Sequence, residues 1–178
     1  MLSAIRAEKG VRKMEILKTH QDFEALRWLH KAINPKHANE ALRCIYVKNG
    51  VAVATDGHRL HKAQVSIDDG LFTVIKSTAK EMYLALATPN NPFPNYEMIL
   101  PKEKRQVFMP KLTENGIHHS IAAIIRDLSD EWAVNIDFLK EALSIDNEWT
   151  LYIATQGNTE QVWLESKKCQ ALIMPLKN

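Results

Sequence analysis

The chain has 178 residues, of which 46% are hydrophobic and 25% charged, with a formal net charge of +2 at pH 7. This profile is typical of a soluble globular protein that is long enough to bury a core. No apolar run approaches the roughly 20 residues that cross a bilayer. A net charge of +2 does not by itself indicate nucleic-acid binding.

Residues 1–13 alternate charged and small side chains, without the apolar stretch of a secretory signal. We interpret them as a weakly basic tail and expect the folded unit to begin near Met14. The two cysteines, Cys44 and Cys169, lie in separate strand-like segments, and their spacing does not require a disulfide. They are interpreted as reduced thiols of a cytoplasmic protein, for which we expect no membrane partner.

The first part of the chain, residues 14–68, is expected to fold in the order strand, helix and three strands. The helix extends from about residue 21 to 33, where Asn34-Pro35 ends it. Asn49-Gly50 predicts a hairpin between the second and third strands. The four strands are expected at 14–18, 42–48, 51–55 and 59–67. The helix has an apolar and a polar side. The apolar side is formed by Phe23, Leu26, Leu29 and Ile33. The polar side is formed by Glu24, Arg27, Trp28 and Lys31.

The last part of the chain repeats this order. Asn135 is well placed to cap a helix at 136–144, with an apolar side formed by Ile136, Leu139, Ala142 and Leu143. Between the two parts lie a hairpin at 71–87 and an amphipathic helix at 115–128. The strands of the repeat are expected at 132–134, 149–155, 161–165 and 171–175. Single helices alternating with hairpin-linked strands predict an α+β fold with largely antiparallel sheets.

The segment Ala54–Leu60 reads Ala-Thr-Asp-Gly-His-Arg-Leu and carries the most specific signal. It predicts a turn with Asp56, His58 and Arg59 at its tip and Leu60 returning to the core. An ordinary hairpin with solvated side chains is the alternative interpretation of this segment taken alone.

Together with other segments, it resembles bacterial replicative sliding clamps, the beta subunit of the replicative DNA polymerase. Residues 54–60, the first motif, resemble the signature of the clamp's second domain. Residues 93–101, the second motif, resemble the segment that closes that domain. Residues 171–177, the third motif, are similar to the last strand of the third domain, and residues 134–143 to the helix in its second half. The motifs occur in the same chain order and together touch most of residues 14–177.

The resemblance implies one DNA-clamp (processivity-fold) domain of class α+β at residues 14–178. Its halves, 14–68 and 131–177, are expected to be related by a pseudo-twofold axis, with an insertion at 71–130 that holds a hairpin and a helix. The familiar clamp carries three such domains per chain and closes as a dimer. A one-domain chain therefore needs six copies to form the same ring.

The resemblance also implies a peptide-binding cleft for DNA polymerase, clamp-loader and repair proteins. Aliphatic side chains would form an adaptable floor, Gly57 would let a peptide backbone approach, and Arg59 and His58 would donate at the rim. Clamps usually carry basic residues after the tyrosine of the second motif, whereas this chain has Glu97 and Met98, so its partner peptide is expected to differ. The expected cleft residues are Thr55, Gly57, His58, Arg59, Leu60, Pro94, Ile99, Leu172, Met174, Pro175 and Leu176.

Double-stranded DNA is a further implied partner, held loosely through its phosphates by helices that line the ring. On the first helix and beyond its end, Arg27, Lys31 and Lys36 are the expected DNA-facing residues. The outward face of the second helix is acidic, with Asp137, Lys140, Glu141 and Ser144. A solvated helix face is the alternative interpretation of the basic residues.

Two other functions compete with a ring. A metal-dependent hydrolase would use Asp56 with His58, or the pairs His58 with His61 and His118 with His119. No nucleophile elbow, phosphate loop or zinc-ligand spacing accompanies these residues, so we expect no enzyme, no cofactor and no metal site. A clamp-like module, of phage or mobile-element type, that binds peptides without encircling DNA is the other alternative.

Overall fold

The computed structural model of the protein describes residues 5–8, 11–107 and 117–177. The chain divides into two compact units. The first unit consists of residues 1–56 and 62–94, and the second of residues 57–61 and 95–178. Both contain helices and antiparallel strands, which confirms the predicted α+β class.

The first unit contains strands in the order β1-β2-β7-β6-β3-β4-β5. A helix, α1 (Phe23–Lys31), packs against β4 and β7. The predicted hairpin is present, because Asn49 and Gly50 both have positive φ, at 52° and 74°, as a two-residue turn of this type requires. The strands are β1 (Ile5–Glu8), β2 (Val11–Leu17), β3 (Cys44–Lys48), β4 (Val51–Thr55), β5 (Arg59–Gln64), β6 (Gly70–Ser77) and β7 (Glu81–Leu86).

Of the predicted apolar side of the first helix, Phe23, Leu26 and Leu29 are fully inaccessible, whereas Ile33 is half-buried and follows the end of α1 at Lys31. Trp28, expected on the polar side, is only 2% exposed, so that assignment is wrong. Its burial shows that α1 is covered on more than one side, whereas helical periodicity anticipates packing against a single layer. The residue before the helix, Asp22, accepts hydrogen bonds from the amide and hydroxyl of Ser66, both at 2.7 Å.

The second unit has the strand order β5-β12-β11-β10-β8 and a separate two-stranded sheet of β9 and β13. Residues 59–61 of β5 belong to this unit and residues 62–64 to the first. β8 ends the strand order, and its four side chains are all exposed. The strands are β8 (Glu103–Gln106), β9 (Trp132–Ala133), β10 (Thr150–Gln156), β11 (Thr159–Glu165), β12 (Cys169–Ile173) and β13 (Leu176–Lys177).

Two helices belong to the second unit, α2 (Ile117–Asp127) and α3 (Ile136–Leu143). The side chain of Asn135 caps α3 as predicted, accepting from the amides of Asp137 at 2.9 Å and Phe138 at 3.4 Å. Leu139, Ala142 and Leu143 are buried, but Ile136 in the first turn is 45% exposed, contrary to its expected place on the apolar side.

The predicted order of strand, helix and three strands occurs in both parts of the chain, as β2-α1-β3-β4-β5 and β9-α3-β10-β11-β12. The pseudo-twofold relation between residues 14–68 and 131–177 stays a prediction. The insertion at 71–130 likewise stays a prediction; within it, β6 and β7 pair with β3 and β2 of the first unit, while residues 95–130 belong to the second. Residues 5–8 and 11–13, expected as tail, are strand residues, because β1 pairs with β2.

Candidate functional site

The turn between β4 and β5 lies where the sequence predicts it. Thr55 and Asp56 are buried, whereas Gly57 and His58 are exposed at the tip. Gly57 has a φ of 87°, in the region that favours glycine, and a Cβ at this position would meet no atom within 4 Å. The backbone conformation is therefore what requires glycine here, and the tip is open to an approaching ligand.

The third motif lies beside this turn in the second unit. The amide of Met174 donates a hydrogen bond to the carbonyl of His58 at 2.8 Å. β12 ends at Ile173, so Met174 and Pro175, which were expected at the site, follow the strand and are half-buried. Leu176 is 55% exposed in β13, where it pairs with Ala133. The first and third motifs thus meet at a surface that carries partly exposed apolar side chains.

Arg59 is directed away from the rim that we expected it to occupy. Its guanidinium donates to the carboxylate of Glu141 on α3 and lies 4.0 Å from the centroid of the Phe138 ring. The arginine side chain is only 9% exposed. Arg59 therefore attaches the first motif to α3. Sequence reasoning missed Phe138 and Glu141 as members of this group because they lie about 80 residues away in the chain, and the helical pattern placed Glu141 outward.

Two expected cleft residues, Leu60 and Leu172, have no exposed surface. Both lie within strands, β5 and β12, that are neighbours in the second unit. They support the site from the core and offer no surface for a ligand to touch.

The second motif is divided between the units. Pro94 is exposed and ends the first unit, where the preceding Phe93 stacks on Tyr46 with ring centroids 4.9 Å apart. Ile99 is half-buried in a short 3₁₀-helix, Tyr96–Ile99, of the second unit. That helix is held by the side chain of Gln156, which donates to the carbonyl of Met98 at 3.3 Å. Met98 itself is 74% exposed.

The expected DNA-facing residues lie in the first unit. Arg27 is half-exposed and pairs with Glu24 at 3.6 Å, and its guanidinium lies 5.4 Å from the centroid of the Phe23 ring. Lys31 and Lys36 are exposed. Lys31 is the last residue of α1, and Lys36 lies beyond its end.

The residues of the hydrolase alternative do not form a ligand set. Asp56 and His61 are buried, and His58 and His118 are exposed; the side chain of His119 lies outside the described residues. Within residues 5–8, 11–107 and 117–177, no group of three or more His, Cys, Asp or Glu side chains could hold a metal ion. In the same described ranges, no helix is long and apolar enough to span a membrane.

No model of a known protein family matches the chain, and no curated protein matches it. Solved structures do match. DNA polymerase III subunit beta from Borrelia burgdorferi has a TM-score of 0.58 at 14% identity, with 93% of this chain and 64% of that chain covered. The Thermotoga maritima beta subunit has a TM-score of 0.59 at 12% identity, with 99% and 68% covered.

A third similar structure is the Helicobacter pylori beta clamp bound to a DNA ligase peptide, with a TM-score of 0.57 at 14% identity and coverage of 97% of this chain and 67% of that chain. This chain spans 64% of the length of the Borrelia burgdorferi protein, which is less than two thirds. Identities at this level establish the fold alone. The chain therefore has the fold of the sliding clamps that are the beta subunits of DNA polymerase III.

Proposed function

We propose that the chain is a clamp-like binding protein without catalytic activity, which takes short peptides of DNA polymerase, clamp-loader or repair proteins at the surface where the first and third motifs meet. The observation that carries the proposal is the hydrogen bond from the Met174 amide to the His58 carbonyl, which holds Met174 beside the turn tip. Pro175 and Leu176 follow Met174 directly in the chain. The Helicobacter pylori beta clamp, which shares the fold, is bound to a DNA ligase peptide.

The exposed apolar groups make peptide binding physically reasonable. Burial of an apolar anchor contributes about 1.5–3 kcal/mol. Two or three anchors, less the ordering of the peptide, give dissociation constants on the order of micromolar. Leu176 and Met174 offer the contact area, and Gly57 and His58 leave the turn tip accessible.

The test is a fluorescence-anisotropy titration with a labelled peptide that contains Gln and Leu anchors. We call the surface where the first and third motifs meet the docking surface. Met174→Asp and Leu176→Asp place a carboxylate on this docking surface and should weaken peptide binding at least about tenfold. Ile75→Asp is the matched control, because Ile75 is 55% exposed on β6 in the first unit. Binding that is equal in wild type and in both site variants would contradict the proposal.

Encirclement of DNA by several copies is the second candidate function, favoured by the exposed Lys31 in the last turn of α1 and the exposed Lys36 beyond it. Contact through phosphates is independent of sequence and strongly salt-dependent. Lys31→Glu with Lys36→Glu should therefore weaken duplex binding at low salt and leave peptide binding intact. A monomeric mass by light scattering at high protein concentration, with no duplex binding, would leave the peptide-binding module alone.

A further inference from the structure

A cavity unrelated to the motifs lies in the first unit. It has a volume of about 360 Å³ and is bounded by the C-terminal end of α1, the 3₁₀-helix Glu40–Arg43, β6 and the segment after β7. This volume is in the range of small-molecule sites, which are usually apolar with a few placed polar groups. The apolar walls are formed by Ile33, Val74, Ala87, Pro35 and Pro89.

The rim of the cavity is held in place by nested local hydrogen bonds. The side chain of His37 accepts from the amide of Asn39 at 3.0 Å, and the side chain of Asn39 in turn accepts from the amide of Ala41 at 3.0 Å. Cys44 contacts Thr73 through its thiol, with 3.4 Å between sulfur and hydroxyl oxygen. Such bonds hold the backbone of residues 37–44 on this side of the cavity.

Two opposite charges stand side by side on this rim. Glu40 and Arg43 are three residues apart in a 3₁₀-helix, where side chains at i and i+3 lie above one another. The Nε of Arg43 donates to the carbonyl of His37 at 2.6 Å, and within the described residues no ion pair joins Arg43 to Glu40. Across the described residues, the Nη groups of Arg43 and the carboxylate of Glu40 meet no hydrogen-bonding partner.

The third polar group of the cavity is the imidazole of His30. Burial lowers the pKa of His30, so the ring is neutral at pH 7 and offers one donor and one acceptor. In the part of the chain that the structure describes, this ring too has no hydrogen-bonding partner. The cavity thus combines one cation, one anion and one neutral polar group with an apolar wall.

We propose that this cavity binds a large apolar α-amino acid as its zwitterion. The carboxylate of the ligand pairs with the Nη groups of Arg43, and its ammonium group pairs with Glu40. Both charged groups of the ligand are attached to its α-carbon, which matches the i and i+3 positions of Glu40 and Arg43 in the 3₁₀-helix. The apolar side chain of the ligand lies against Ile33 and Val74. This inference is independent of the peptide surface, because every residue of the cavity belongs to the first unit.

The probes are L-leucine, N-acetyl-L-leucine, which lacks the ammonium group, and L-leucinamide, which lacks the carboxylate. Binding of each is measured by NMR titration of the isotope-labelled protein. A hydrogen bond to a charged group contributes about 1.5–3 kcal/mol, and less where the group is exposed, as Glu40 is. L-leucinamide should therefore bind about tenfold more weakly than L-leucine, and N-acetyl-L-leucine several-fold more weakly. The shifted signals should include Val74 and Cys44.

Two variants assign the charges to residues. Arg43→Gln should make L-leucine and L-leucinamide bind equally, and Glu40→Gln should do the same for L-leucine and N-acetyl-L-leucine. Arg126→Gln, on α2 in the second unit, is the control and should change nothing. Glu40 is exposed, so its variant is expected to fold even if Arg43→Gln does not. Equal binding of the three probes to wild type, or no saturable shift with L-leucine, would overturn the proposal.

Discussion

The guanidinium of Arg59 donates to the carboxylate of Glu141 while its Cζ lies 4.0 Å from the centroid of the Phe138 ring. The residue before Arg59, His58, accepts the hydrogen bond from Met174. A continuous set of contacts therefore joins α3 to the docking surface. If the proposed function holds, Glu141 and Phe138 influence peptide binding through Arg59 and without contacting the peptide.

We expect Glu141→Gln to destabilise the protein by about 1 kcal/mol, because it weakens a charge-assisted hydrogen bond to a buried arginine. Glu141 is itself 40% exposed, so the effect falls below that of a fully buried pair. The same variant should lower the affinity for the clamp-binding peptide several-fold. Urea denaturation and anisotropy measure the two effects.

Asp137→Asn is the matched control for this experiment. Asp137 lies on the same helix, is 82% exposed and pairs only loosely with Lys140 at 3.6 Å. Its substitution should change stability by less than about 0.5 kcal/mol. Equal effects of the two variants would contradict a special role for Glu141.

Trp28 is predicted to matter more to folding than its place on the helical wheel indicates. Trp28→Ala removes a side chain that is 2% exposed, and the cavity left behind should cost about 3–5 kcal/mol. The neighbouring Arg27→Ala should cost less than about 1 kcal/mol, because its pair with Glu24 is solvent-accessible. Thermal unfolding of the two variants checks the difference. Similar melting temperatures would show that Trp28 is not a core residue.

The cap of α3 gives a third test. Asn135→Ala removes the acceptor for the amides of Asp137 and Phe138 and should cost about 1 kcal/mol. Asn135→Asp keeps the acceptor and adds a negative charge at the helix N-terminus, so it should retain most of the stability. Asn91→Ala, in an exposed loop, serves as control. If Asp and Ala at position 135 were equally destabilising, the side-chain cap would not be the cause.

The two thiols should differ in their chemistry. Burial, and then the carboxylate of Asp146, raise the pKa of Cys169 from 9.0 to about 11. At pH 9 only about 1% of this thiol is ionised, so it should react slowly. Cys44 lines the cavity of the first unit and should be modified first by a small thiol reagent. Mass spectrometry of Cys44→Ser and Cys169→Ser proteins identifies the site; faster labelling of Cys169 would contradict this order.

The same shift has a consequence for stability. The folded-state pKa of Cys169 lies above that of the unfolded chain, so its contribution is fully present below about pH 8.5. That contribution is lost as the pH rises from there through about 11. Urea midpoints of wild type and Cys169→Ser should therefore converge in this window. A gap that widens with pH would show the opposite sign.

Local patterns were sufficient for much of this structure. The Asn49-Gly50 turn, the cap at Asn135 and the buried stripe of α1 follow from backbone geometry and helical period. Trp28 and Arg59 could not be placed in this way, because their burial depends on segments distant in sequence. Leu60 and Leu172 resemble cleft residues by motif but lie in the core, because a motif specifies a position in the chain and not its depth.

The boundary between the two units also could not be predicted from the sequence. A hairpin at 71–87 was predicted, but which sheet it joins depends on the pairing of β6 with β3 and of β7 with β2. Such pairing is non-local and has no local signature. The repeat of strand, helix and three strands was visible, whereas the assignment of the residues between the repeats was not.

The edge strand β8 has a consequence for how copies of this chain can associate. Its residues Glu103, Lys104, Arg105 and Gln106 are all exposed, and three of the four are charged. Charged side chains, lysine above all, discourage an edge from accepting a further strand. Indiscriminate strand addition, the first step of many aggregates, is thereby resisted at this edge. A partner strand that does join there must bring complementary charges in register, so self-association at β8 would be selective rather than open-ended.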